Sequence, residues 1–220
     1  MTLTDSVVES LSAAFASAEG FDQPYRHWIV ADVFPQALAN ELAQLNFPHV
    51  DLAGVSGKRE LHNDQRQYFA GQTNDRESAC AAVAGAFQSP AVVAQIERVT
   101  GAQLAGSYVR LEYAQDTDGF WLEPHTDLGV KIFTLLIYLD GGAGQGGLGT
   151  DIYADARTWA KRTPFTTNSA LMFVPGQSTW HGLAPRPILG VRRSVIMNYV
   201  TDDWRARDQL AFPLTPVRAT

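Results

Sequence analysis

At residue 104 the chain changes its period. From there to residue 200, apolar residues alternate or run in short blocks, and Gly, Pro, Asn and Asp recur between the blocks. That pattern specifies short strands joined by turns. It predicts strands over 105–114, 119–124, 131–139, 147–153, 164–166, 169–174, 178–180 and 192–201. Before residue 104 the apolar positions repeat at helical spacing instead. Residues 5–18 place Val7, Val8, Leu11, Ala14 and Phe15 on one face, with Thr4 or Asp5 as the N-cap. Residues 25–34 predict a strand that leads into a turn, and Pro35 suits the first turn of a helix over 35–45. A polar stretch over 51–66 reads as a loop. Helices are predicted over 75–87 and 89–99, the second opened by Pro90 and closed by Gly101. Helices first and many short strands later give an α+β chain. The strand half is long enough for a jelly-roll or another double-sheet barrel. A sandwich that carries no site has the same periodicity and stays open.

The composition limits the functions. A chain of 220 residues with 45% hydrophobic and 18% charged residues fits one globular domain over 1–220. Its expected parts are mainly helical support over 1–103, the strand core over 104–201 and a tail over 202–220. The net charge is −6, and basic residues cluster no further than pairs such as Lys58-Arg59, Lys161-Arg162 and Arg192-Arg193. Neither a nucleic acid nor a membrane is therefore expected as a partner, although a local basic pocket for a small anion is compatible with this charge. The single cysteine, Cys80, cannot form an intrachain disulfide and lies in an Ala-rich run, so a buried structural role is expected. There is no basic-then-apolar N-terminal segment and no apolar run near the ~18–20 residues of a membrane span, so a cytoplasmic protein is expected. The oligomeric state is not readable at this level.

The chemistry concentrates in two segments. In Glu123-Pro124-His125-Thr126-Asp127, His125 and Asp127 stand two apart on an extended chain and so point to one face. His181 follows the apolar strand 170–174. Two imidazoles and a carboxylate can occupy one face of an octahedral iron(II) and leave positions open for other ligands. Zinc accepts the same three ligands, and an isolated His-x-Asp pair is more often a solvated turn. Eleven residues after His181 comes Arg192, opening the otherwise apolar strand Val195-Ile196-Met197-Asn198-Tyr199-Val200. A buried arginine is costly unless an anion meets it, and its planar fork suits a carboxylate. A salt bridge to an Asp or Glu is the alternative. Alternation puts Arg193 on the opposite face from Arg192 and Ser194.

Taken together, His125-x-Asp127, His181 and Arg192-x-Ser194 resemble the iron(II)/2-oxoglutarate-dependent oxygenase superfamily, in its prolyl-hydroxylase-like branch. The resemblance covers about residues 105–200, and Pro24–Leu45 is more weakly similar. It implies a double-stranded β-helix, a jelly-roll or cupin-like barrel, with N-terminal helices packed against one sheet. It implies His125, Asp127 and His181 as catalytic iron ligands, and Arg192 and Ser194 as the 2-oxoglutarate clamp. Tyr113, Thr134 and Tyr138 fall where such enzymes line the co-substrate pocket. The cofactor set it implies is Fe(II), 2-oxoglutarate and O2, with ascorbate as a stimulant. The implied activity is a dioxygenase that couples decarboxylation of 2-oxoglutarate to succinate and CO2 with hydroxylation of a substrate. Asp127 disfavours halogenation, because the related halogenases lack that carboxylate. The stretch Gly146-Gly147-Leu148-Gly149-Thr150-Asp151 resembles the family's Gly-Gly-x-Leu segment. It departs from that segment in placing the leucine directly after the glycines, behind a longer Gly-rich loop, and this bears on the substrate side of the site.

The substrate class, small molecule or peptidyl residue, does not follow from these residues. The charged and aromatic segment Lys58–Tyr68 is a candidate for substrate contact or a lid, with a plain solvated loop as the alternative. Trp121 and Trp180 are candidate pocket walls, and Lys131 and Asp151 candidate substrate contacts. A cupin-like metal isomerase or binding module would keep His125, Asp127 and His181 without needing Arg192 and Ser194. A purely structural domain would need none of them.

Overall fold

The first helix, α1 (Leu3–Ala16), satisfies its own first turn. In the computed structural model, which describes residues 1–127, 129–140 and 144–218, Thr2 is its N-cap. The Thr2 hydroxyl accepts from the Asp5 amide at 3.1 Å, and the Asp5 carboxylate accepts from the Thr2 amide at 2.7 Å. This reciprocal box satisfies two otherwise orphan donors, and it sets the cap ahead of the expected Thr4 or Asp5. Val7, Leu11, Ala14 and Phe15 form the buried face. Then come β1 (Glu19–Phe21), β2 (His27–Val30) and α2 (Gln36–Ala43), with Pro35 capping α2 rather than lying in its first turn. The expected loop over 51–66 contains a 3₁₀ helix, Arg59–Gln65, and leads into β3 (Gln67–Tyr68) and the short α3 (Gln72–Arg76). Next are α4 (Ser78–Gln88) and α5 (Pro90–Thr100). Ser89 caps α5 by accepting from the Val92 amide, and Gly101 closes it in the left-handed region at φ +78°.

The second half holds β4 (Tyr108–Asp116), β5 (Leu122–His125), β6 (Lys131–Tyr138), β7 (Asp151–Tyr153), β8 (Trp159–Arg162), β9 (Ser169–Phe173), β10 (His181–Leu183) and β11 (Arg192–Val200). Most strands expected here keep their place with ends moved by three residues or fewer, and three do not. The expected strand 147–153 starts only at Asp151, because the Thr150 amide is taken by the Tyr138 and Thr163 hydroxyls instead of a ladder carbonyl. Residues 164–166 are not a strand, and β8 lies just before them. His181 opens β10 rather than following a strand over 178–180.

These strands form two antiparallel sheets. The large one runs β1-β2-β9-β6-β11-β4-β3 and the small one β5-β10-β7-β8. They meet where Ile152 of β7 packs with Leu171 and Phe173 of β9. Because side chains alternate along a strand, the central strands of the large sheet have two distinct faces. Val109, Leu111, Tyr113, Phe133, Leu135, Ile137, Val195, Met197 and Tyr199 join α1, α4 and α5 in the main core. Fully buried residues there include Leu11, Phe15, Val83 and Phe87, each worth roughly 1.5–3 kcal/mol relative to exposure. The opposite face of β4 and β11, facing the small sheet, carries Arg110, Glu112, Asp116, Arg192, Ser194 and Asn198. The site lies on that face. The first 103 residues give the large sheet β1, β2 and β3 as well as its helical support, and the tail packs Leu210, Ala211 and Val217 into buried positions.

Candidate active site

His125 ends β5 and His181 begins β10, and the antiparallel register sets them opposite each other. Asp127 follows two residues after His125. The register depends on Gly182, where a Cβ would stand 2.9 Å from the Leu122 carbonyl oxygen, too close for any side chain. The ligand atoms of the three residues all lie within 4.8 Å of one another. His125 Nε2 is 4.0 Å from Asp127 Oδ1, and His181 Nε2 is 3.8 Å from Asp127 Oδ2.

The tautomers are set by the backbone. His125 Nδ1 donates to the Glu123 carbonyl at 2.9 Å, and His181 Nδ1 to the Thr179 carbonyl at 3.0 Å. A carbonyl can only accept, so each Nδ1 carries the proton and each Nε2 presents a lone pair toward Asp127. Burial pushes His181 down to about 4, against the opposing pull of Asp127, so it is a neutral donor at pH 7. Asp127 is held well below the usual carboxylate range: burial alone would raise it, but the Lys131 ammonium bonded to it outweighs that. Lys131 Nζ donates to Asp127 Oδ1 at 2.6 Å, and the Thr134 hydroxyl donates to Oδ2 at 2.9 Å. Asn198 Nδ2 in turn donates to Thr134 Oγ1 at 3.0 Å. Ligands of one ion at ~2.0–2.2 Å stand about 3 Å apart when adjacent. The imidazole nitrogens, 3.8 and 4.0 Å from the carboxylate oxygens, would have to close by about 1 Å to share one metal with them, and the set of two imidazoles and a carboxylate suits iron(II).

A cavity of about 440 Å³ opens on this group, lined among others by Arg192, Ser194, Leu136, Ile196, Thr150 and Trp204. That volume is in the usual range for small-molecule sites. Arg192 is buried and forms the salt bridge that was its alternative reading. Its Nη1 donates to Asp116 Oδ2 at 2.7 Å and its Nε to the Leu148 carbonyl at 2.7 Å. Among the described residues none accepts from its Nη2. Ser194 lines the same cavity.

The other expected residues divide. Thr134 meets the metal group through Asp127 rather than lining the cavity. Tyr138 lies with its ring 5.6 Å from the Arg192 guanidinium, while its hydroxyl bonds Thr150 and Thr163 at 2.8 Å. Tyr113 is a correction. Its parity on β4 matches Val195 rather than Arg192, so it faces the helices and donates to the Leu42 carbonyl at 2.7 Å. Trp121 and Trp180 do not line the cavity. Trp121 instead fills the space beside Gly57, and Trp204 of the tail provides the aromatic wall. Asp151 is also a correction: it is fully buried under Arg162, Arg186, the Trp159 indole and the Ala184 amide, which makes it a structural anchor. Lys131 pairs with the ligand carboxylate while lining the cavity.

Sequence reasoning missed the network behind Arg192. Asp116 accepts from both Arg192 and Arg59, the latter at 2.8 and 3.2 Å. Glu112 accepts from Arg66 and, at 3.0 Å, from Arg110. Arg59 and Arg66 belong to the flagged segment 58–68, so that segment closes over the cavity through ion pairs. The signal available in the sequence was the charged parity of β4, with Arg110, Glu112 and Asp116 on one face of a strand whose other residues, apart from Gln115, are apolar or aromatic.

No family model and no curated protein matches the sequence. Solved structures do match its fold. A prolyl 4-hydroxylase from Pseudomonas putida superposes with a TM-score of 0.55 at 15% identity, covering 88% of this chain and 94% of that one. One from Phytophthora capsici gives 0.59 at 14% identity, covering 94% and 68%. A prolyl hydroxylase of Trichoplax adhaerens, solved with a hypoxia-inducible-factor peptide fragment, gives 0.51 at 17% identity over 93% and 91%. Sheet topology and these superpositions agree: this chain has the double-stranded β-helix fold of the prolyl-hydroxylase-like 2-oxoglutarate oxygenases.

Proposed function

We propose that this chain is an iron(II)- and 2-oxoglutarate-dependent dioxygenase that hydroxylates its substrate. One observation carries the reading: a single cavity is lined both by two tautomer-locked imidazoles with a carboxylate and by a buried arginine with a donor to spare. Iron(II), with 2-oxoglutarate and oxygen, supplies the oxidising power when bound, yielding succinate, CO2 and one oxygen atom for the substrate. His125 Nε2, His181 Nε2 and Asp127 would hold the metal. Asn198 and Thr134 orient Asp127, as partners behind a ligand commonly do. Arg192 would receive the distal carboxylate of 2-oxoglutarate through Nη2, with the Ser194 hydroxyl beside it. Leu136, Leu183 and Ile196 give the cavity an apolar lining that limits water. A metal barrel without oxygenase activity would use Arg192 only for its bonds to Asp116 and Leu148, which leaves its Nη2 without a role, and no specific observation favours that reading.

Manganese(II) replaces iron(II) without turnover and tests the binding. It should raise the melting temperature, since a ligand at a hundredfold excess over its dissociation constant stabilises the fold by roughly 2.7 kcal/mol. 2-Oxoglutarate should add to the shift only when the metal is present. Under air with iron(II), succinate should be released from 2-oxoglutarate. A full 2-oxoglutarate shift without metal, or no succinate with metal, would refute the proposal.

A further inference from the structure

The charges around the cavity do not balance. Five cationic side chains that line it are under a quarter exposed: Arg59, Arg66, Arg110, Lys131 and Arg192. Against them stand three carboxylates buried equally deeply, Glu112, Asp116 and Asp127. At the rim, Lys58 and Glu123 pair at 3.2 Å and cancel, and Glu60, exposed to solvent, acts on Arg59 only from the water side. Among the described residues the buried excess is therefore two positive charges. A divalent metal and doubly charged 2-oxoglutarate cancel each other, so the excess persists in the loaded site. Uncompensated buried charge is costly unless an anion meets it.

The excess is held ready at one wall. Arg66 and Arg110 both bond the carboxylate of Glu112, and Arg59, whose fork is on Asp116, brings its Nε to 4.0 Å from Glu112 Oε1, so four arginines with Arg192 share two carboxylates. Arg110 is sandwiched between Tyr68 and Trp204, each ring 4.9 Å from its guanidinium carbon. Aromatic faces stabilise a dehydrated cation without neutralising it. Gln209 and Asn198 fix its orientation at 3.0 and 3.2 Å. These neutral acceptors leave the field of the guanidinium in place.

We infer that the substrate bears a carboxylate, and that this group docks on the Arg59, Arg66 and Arg110 wall. The inference rests on the oxygenase reading above and adds its substrate class. It makes Arg59 and Arg66 specificity-determining residues carried by the segment over the cavity.

The test uses the full chain loaded with manganese(II) and saturating 2-oxoglutarate, so that Arg192 is already engaged. The loading step reports on the oxygenase reading by itself, because it fails if metal and 2-oxoglutarate produce no shift. Acetate, benzoate and N-acetyl-L-alanine are then titrated by calorimetry, each beside its neutral amide. At least one acid should bind saturably, and its amide at least tenfold more weakly. Ac-Ala-Glu-Ala-NH2 beside Ac-Ala-Gln-Ala-NH2 distinguishes a side-chain carboxylate on a peptide from a small free acid. Arg66→Met should weaken the acid at least tenfold, and Glu112→Gln, which removes a competing negative charge, should tighten it. A merely structural role would weaken binding in both variants. If a variant does not fold, the acid–amide comparison in the wild-type chain still decides. Equal binding of acids and amides, or no saturable acid binding in a normally loaded protein, overturns the inference.

Discussion

Replacing Arg192 by alanine should damage two separable quantities, and the structure sets the size of each. The guanidinium bonds Asp116, which is almost wholly buried, and the Leu148 carbonyl. Removing one partner of a buried ion pair costs about 3–5 kcal/mol when it strands a charge. Asp116 keeps Arg59 on both of its oxygens, so the expected loss lies at the lower end, about 3 kcal/mol. With a urea slope of roughly 2–3 kcal/mol per molar, the unfolding midpoint should fall by about 1 M or more with the slope unchanged. The second quantity is 2-oxoglutarate affinity in the manganese-loaded protein, read by calorimetry. Truncating one side of a buried charge-assisted pair costs at least ~2 kcal/mol, which is about thirtyfold in the dissociation constant. Arg192→Lys keeps a charge for Asp116 but loses the planar fork, so it should recover part of each loss. Arg193→Ala is the control. Arg193 pairs with Asp140 at 3.6 Å, both side chains being partly exposed, and lies beside the Tyr113 hydroxyl on the helix-facing side of the sheet, so the substitution should cost no more than about 1–2 kcal/mol and leave 2-oxoglutarate affinity unchanged. Wild-type stability and affinity in Arg192→Ala would refute the reasoning. Damage from Arg193→Ala alone would mean the β11 register is wrong by one residue.

Three further outcomes are expected. Thr134→Val removes the hydroxyl that orients Asp127 while nearly keeping the side-chain volume, and should weaken manganese binding by about tenfold to a hundredfold, read by titration under anaerobic conditions. Tyr113→Phe removes one buried hydrogen bond to the Leu42 carbonyl, so its urea midpoint should report a loss of about 1–2 kcal/mol while 2-oxoglutarate affinity stays at the wild-type value. Burial pushes the Cys80 thiol up to about 12, so almost no thiolate exists at pH 8, and iodoacetamide should label the native protein only at the rate of unfolding, checked by mass spectrometry with and without denaturant.

The sequence by itself determined the fold class and picked out His125, Asp127 and His181, which the structure gathers into one cluster, for a reason rooted in local geometry. Side-chain period follows from backbone conformation, so the switch from helical to strand spacing near residue 104 was visible without any tertiary knowledge. His125 and Asp127 share a short segment whose extended form turns both to one side, and Arg192, Arg193 and Ser194 divide by the same alternation. What depends on pairing between distant segments was decided only by the tertiary structure. Tyr113 lies on a strand that was correctly read, but its face is relative to Arg192, and only the β4–β11 register, Tyr113 opposite Val195, turns it toward the helices. The same register brings Asp116 beside Arg192. Thr150 looks like a strand residue until the hydroxyls of Tyr138 and Thr163 claim its amide. For the polar segment 58–68 the sequence leaves a lid or substrate contact and a plain solvated loop both open, because its partners, Glu112 and Asp116, lie about 50 residues further along the chain. Strand alternation is a property of neighbouring residues, whereas register and ion pairing are properties of the packed molecule.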